Sequence, residues 1–138
     1  MIKIEQKPFG YKLTFSGIIS HQEVEQWLDE SEKVLADSSQ NFCVLINMCE
    51  MELLPVACRE AMYDGQKLYK RMGMDRSVVI VRDKMTAMQF RLIAQKTGIY
   101  AEERYINASH NQDWEKEAMN WLTSSVEPTV EPEMTTSY

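Results

Sequence analysis

Cys49 lies a few residues ahead of a proline-led helix start, where a helix dipole favours thiolate, so nucleophilic cysteine chemistry is the first activity to weigh. Such a nucleophile needs a base within hydrogen-bond reach. The imidazoles on offer, His21 and His110, sit at the edges of two different expected helices. That separation favours a packed loop thiol, and no catalytic residue is assigned. Structural zinc needs about four N, S or O ligands in reach. Cys43, Cys49 and Cys58 form no CxxC pair, so no metal site and no cofactor are expected. Gly10, Gly17, Gly65, Gly73 and Gly98 stand alone, which leaves no glycine-rich phosphate loop.

Binding chemistry has more support. Met48, Met51, Met85 and Met88 follow two expected central strands, at the carboxyl ends where open α/β sheets take ligands. Methionine adapts to varied apolar surfaces, so these residues read either as core filler, the preferred role, or as a flexible groove for an apolar ligand or helix. Arg59, Arg91 and Arg104 could meet an anion near the same edge, but 21 acidic residues make surface pairing their simpler role.

The elements that must position these groups follow from apolar period. Ile2 and Ile4, then Tyr11, Leu13 and Phe15, alternate with polar residues on either side of Lys7-Pro8-Phe9-Gly10, the pattern of a hairpin with one wet face. Ser20-His21-Gln22-Glu23 is a capping box opening a helix whose apolar stripe is Val24, Trp27, Leu28, Val34 and Leu35. Phe42–Ile46 and Val78–Val81 are continuous apolar runs, as buried central strands require. A helix from about Pro55 presents Ala57, Ala61, Gly65, Leu68 and Met72 inward, small enough at one end to approach the sheet, and Gly73 caps it. Thr86–Gln89 offers a second capping box for a helix closing at Gly98. Arg104–Asn107 is a short strand, and a last helix from about Asn111 aligns Trp114, Ala118, Trp121 and Leu122. The order β-β-α-β-α-β-α-β-α gives an α/β fold with a mixed, mostly parallel sheet. Residues 1–125 form the single domain, and 126–138 read as a disordered acidic tail without apolar period.

Bulk properties narrow the function further. Net charge is −6, and the tail's Glu127, Glu131 and Glu133 supply half of it. An acidic body lacks the basic footprint that nucleic acid or anionic membrane requires. No apolar run approaches the roughly 18 residues of a membrane span. Met1–Lys7 has no signal-peptide core, and three unpaired cysteines suit a reducing compartment, so a cytoplasmic location is expected.

The element order, with Leu13-Thr14-Phe15-Ser16-Gly17 before the first helix, Val44-Leu45-Ile46-Asn47 in the central strand and Ala118-Met119-Asn120-Trp121-Leu122 near the end, resembles the STAS domain of anti-sigma-factor antagonists and sulfate transporters. It resembles the stand-alone bacterial STAS-like proteins most, over about residues 1–125. The resemblance implies a non-enzymatic regulatory module, switched by phosphorylation of a Ser or Thr between the central strand and the second helix. Here that segment is Met48-Cys49-Glu50-Met51-Glu52-Leu53-Leu54-Pro55, and no Ser or Thr occurs between Ser39 and Ser77. The expected contact surface is therefore Met48, Glu50, Met51, Glu52, Leu54 and Arg59, with Met51 and Leu54 partly exposed inside a polar rim. It would take another protein or, alternatively, a small lipid-like apolar ligand in a pocket. Oligomeric state stays open, with a homodimer among the options.

Overall fold

The computed structural model describes residues 1–37 and 40–130. β1 (Ile2–Lys7) and β2 (Gly10–Ile18) form the expected antiparallel hairpin, with Ile4 opposite Leu13. Gly10 has φ of 143°, and a Cβ there would sit 2.1 Å from the carbonyl oxygen of Cys43 on the adjoining strand, so only glycine fits. α1 (His21–Ala36) opens on its capping box: the Glu23 amide donates to Ser20 Oγ at 3.1 Å, and the Ser20 amide donates to the Glu23 carboxylate at 2.8 Å. The chain continues through β3 (Phe42–Leu53), α2 (Arg59–Arg71), β4 (Met74–Val81), α3 (Lys84–Thr97), β5 (Glu103–Asn107) and α4 (Trp114–Ser124). The order is the expected one.

Three helix starts move. α2 begins at Arg59, because Val56–Cys58 first makes a 3₁₀ turn after Pro55, and this leaves Ala57 exposed rather than inward. α3 is capped by Asp83, whose carboxylate accepts the Thr86 amide at 2.8 Å and its hydroxyl at 3.1 Å. Thr86 is thus the capped residue and not the cap. α4 begins at Trp114, because the Asn111 side chain accepts the Asp113 amide at 3.0 Å and holds a turn ahead of it.

The sheet order is β1-β2-β3-β4-β5, parallel from β2 onward. Successive right-handed crossovers that always step the same way place their helices on one face. Accordingly α1, α2 and α3 share one apolar cluster, with Val44, Val79 and Val81 from the sheet. Among the described residues α4 is the helix that covers the other face, where Ala118, Trp121 and Leu122 meet Leu45, Val78, Ile80 and Ile106. Cover on both faces explains why β3 and β4 read as unbroken apolar runs. Gly65 belongs to α2's small face but meets α1 rather than the sheet: a Cβ there would lie 2.4 Å from the Trp27 ring. The Ser31 and Tyr69 hydroxyls, 2.8 Å apart, tie the same two helices together.

Residues 126–130, expected within a structureless tail, instead fold back on the domain. Glu127 pairs with Arg104 at 2.7 Å, Pro128 is buried, and the Thr129 amide donates to Glu117 Oε1 at 2.6 Å. Polar and prolyl anchoring of this kind has no apolar period to betray it. The rest of that tail, 131–138, lies outside the described residues.

Candidate functional site

The segment expected to be a binding loop is strand. β3 runs on to Leu53 because β2 continues beside it, with Ser16 paired to Glu50, Gly17 to Met51 and Ile18 to Leu53 across two register irregularities. Pairing imposes a strand's alternation. Glu50 and Glu52 point to solvent, while Met51 turns inward at 8% exposure and Leu54, just past the strand, is 7% exposed. Met48 is buried too, and all three apolar residues join the cluster beneath α1–α3. The expectation that Met51 and Leu54 form an exposed patch is therefore corrected. Of the six, Glu50, Glu52 and Arg59 are on the surface.

The methionine group divides in the same way. Met48 and Met51 are core; Met85 and Met88, on α3, are 70% and 43% exposed. Leu92, on the same helical face by its spacing, is 58% exposed. Beside this stripe lies an open groove of about 610 Å³ between α2 and α3, lined by Arg59, Glu60, Tyr63, Gln89, Leu92 and Lys96. Val56, in the 3₁₀ turn that leads into α2, adds another large exposed apolar side chain. An exposed apolar stripe rimmed by polar groups is the form a contact surface takes.

The interior offers little room. The apolar cavity between the sheet and α1–α3 holds about 40 Å³, lined by residues including Phe15, Trp27, Met62, Tyr69 and Phe90. Drug-sized ligands occupy pockets of about 300–1,000 Å³, so this space takes about a single water-sized guest.

At its rim sits a group that sequence reasoning missed. Glu103, the first residue of β5, is 3% exposed, and its carboxylate accepts from Ser77 Oγ at 2.6 Å and from the Tyr105 hydroxyl at 2.7 Å. Burial pushes its carboxyl up to about 7, against the pull of those two donors. The same burial, with the neighbouring Glu103 carboxylate, raises Tyr105, while the Arg91 guanidinium lies over the Tyr105 ring at 5.5 Å. Ser77 is the register partner of Glu103. A polar residue at the head of the apolar run Val78–Val81 was the available signal, though it does not name its partner.

The cysteines show no activation. Desolvation raises all three thiols, and at Cys49 the Glu50 carboxylate raises it further. Cys43 and Cys58 donate to backbone carbonyls of Leu122 and Ile19. His21 faces Glu25 at 3.4 Å on the exposed side of α1. Among the described residues there is no group of three or more His, Cys, Asp or Glu placed to hold a metal ion, and no helix is long and apolar enough to cross a membrane.

The outer flank of β5 carries an open groove of about 760 Å³, walled by β5, His110–Gln112 and residues 127–130. Arg104 stands in it. Its Nη1 donates to the carbonyls of Ala101 and Glu103 at 2.9 and 3.0 Å, and its guanidinium lies 4.1 Å from the Trp121 ring centre. Nε and Nη2 face Glu127 at 2.7 to 3.1 Å, which holds that carboxyl below its ordinary range.

No protein-family model matches the chain, and no curated protein does. Among solved structures it is similar to an uncharacterized protein of the DUF3478 family from Shewanella loihica PV-4, described as having a SpoIIAA-like fold. The two share 20% identity with a TM-score of 0.59, over 88% of this chain and 92% of that one. At that identity the likeness speaks for the fold alone. The chain has the SpoIIAA-like, STAS-like fold that its element order led us to expect.

Proposed function

We propose that this chain is a non-enzymatic regulatory module that binds another protein, and that it does so on the α2–α3 face. The observation that carries this reading is the exposed stripe Met85, Met88 and Leu92 beside the α2–α3 groove. Folding leaves single apolar residues outside routinely, but three on one helical face beside an open groove is a patch. Arg59, Glu60 and Lys96 supply its polar rim. The absence of Ser and Thr between Ser39 and Ser77 supports a module that works without the hydroxyl switch of the STAS family. An interior of about 40 Å³ weighs against the carrier alternative, which needs several times that space.

The test is capture of the partner from an extract of the native cell by the intact chain and by Met88→Glu/Leu92→Glu. Both side chains are exposed, so the variant should melt within a few degrees of the parent. A protein held by the parent and lost by the variant is the expected result. Equal capture by both would remove the α3 stripe from the interface, and the reading would fail.

A further inference from the structure

The two edges of the sheet differ. Beside β5, at one end, stand residues 127–130, with Glu127 paired to Arg104. β1, at the other end, pairs with β2 on one side and has no strand on its other side among the described residues. Its pairing runs from Ile2 to Lys7 without an irregularity, and no proline interrupts it, so the edge is continuous over six residues. Met1 and Ser16 exchange both backbone hydrogen bonds, at 2.6 and 2.9 Å. Antiparallel ladders alternate, so Lys3, Glu5 and Lys7 also bond inward to β2, while the amides and carbonyls of Ile2, Ile4 and Gln6 point outward. Such a row is a template for another strand.

The side chains on this edge select that strand. Ile2 and Ile4 are half-buried against the cluster beneath α1–α3, and Lys3, Glu5 and Lys7 occupy the opposite face. Within the chain Glu5 meets Lys3 and Lys7 at 3.9 and 3.8 Å, too far for hydrogen bonds. A second β1 running antiparallel must match outward residues with outward residues, so the long registers have their two-fold axis at Lys3, Ile4 or Glu5. An axis at Lys3 sets Lys3 against its own copy. An axis at Glu5 sets Glu5 against its own copy and Lys3 against Lys7. An axis at Ile4 instead engages the whole strand, pairs Ile4 with Ile4 and Ile2 with Gln6, and sets Lys3 against Glu5 on both sides of the axis. Those two ion pairs fall at non-hydrogen-bonded positions, where facing side chains approach most closely. We propose that β1 is a self-complementary docking edge, on which a second copy of this chain adds antiparallel about Ile4 and joins two five-stranded sheets into one. α3 packs on β4 and β5, toward the other end of the sheet, so the dimer leaves both Met85–Leu92 stripes open. This inference is independent of the α2–α3 reading.

Sedimentation velocity of the full chain at concentrations up to about 1 mM tests it, since so short an edge makes a weak interface. The parent should dimerise as concentration rises. Lys3→Glu sets a glutamate against Glu5 on both sides of the axis and should weaken the dimer about tenfold. Lys3→Glu with Glu5→Lys restores both pairs and should return association to the parental level. With the axis at Lys3 the first change would leave like charge against like, and with the axis at Glu5 it would strengthen the dimer. A parent that stays monomeric throughout would leave the edge to a strand of some other protein and overturn the proposal. A dimer that Lys3→Glu leaves unchanged or strengthens, or that the charge exchange fails to restore, would overturn it equally.

Discussion

The end of β3 and the outer face of α3 are built from the same residue types and finish on opposite sides of the surface. Met48, Met51 and Leu54 follow one central strand and are core; Met85, Met88 and Leu92 follow the next and are exposed to solvent. Composition does not separate them. Partnering does: β2 pairs with β3 as far as Leu53 and sets an inward direction for alternate residues, with three helices above to receive them. α3 has neighbours on its inner face, where Ala87, Phe90, Ile93 and Ala94 are buried, and the face that carries the stripe is open to solvent beside the α2–α3 groove. A methionine or leucine marks a contact surface only where the element that holds it has already spent another face on the core.

The largest effect should come from the buried member of this pair. Met51→Ser with Leu54→Ser removes two core side chains, each worth about 2–5 kcal/mol, and together they rival the 5–15 kcal/mol that holds a typical domain. Chemical denaturation should find the double variant largely unfolded. A folded variant with a near-parental midpoint would mean the β3 end is peripheral after all.

The glutamates repeat the contrast at a smaller scale. Glu50 and Glu52 are exposed, whereas Glu103 is interior with a carboxyl at about 7 against an ordinary 4.5. The folded chain keeps that proton where the unfolded chain has released it. Stability from this group is therefore complete below about pH 4.5, is lost as pH rises through about 7, and stays low above that. The change is on the order of 3 kcal/mol. Glu103→Gln should flatten the slope in this window and raise the melting temperature at pH 8. If parent and variant fall in parallel from pH 5 to 8, Glu103 is not the titrating group.

The smallest effect on folding belongs to the stripe. Met88→Ser and Leu92→Ser should each change stability by no more than about 0.5 kcal/mol, as exposed substitutions do. A loss of several kcal/mol would show that these side chains pack, and the two regions would no longer differ.

Most of the fold was legible because its signals are local and redundant. The capping box at Ser20, the apolar runs Phe42–Ile46 and Val78–Val81 and the helix stripes each point to one element, and a one-way series of crossovers orders them. The site was not legible for an equally physical reason. Met51 and Met88 present the same chemistry in one dimension, and what separates them is the continuation of β2 through Gly17 and Ile18, which pair with Met51 and Leu53 far along the chain. Glu103 was hidden likewise, since burial of a carboxyl beside Ser77 is a property of strand register. The docking of residues 127–129 depends on the pairing of Glu127 with Arg104 and of the Thr129 amide with Glu117, polar contacts that leave no period in the sequence.

Site-specific photo-cross-linking distinguishes the two regions most directly. A photoreactive residue would replace Met88, Leu92 or, as the control on the β3 end, Glu50, all exposed positions that tolerate the change. In the native cell, positions 88 and 92 should each yield a discrete adduct with the same protein, and position 50 none. An adduct from position 50 with none from 88 or 92 would return the contact surface to the end of β3 and contradict the assignment to the α2–α3 face.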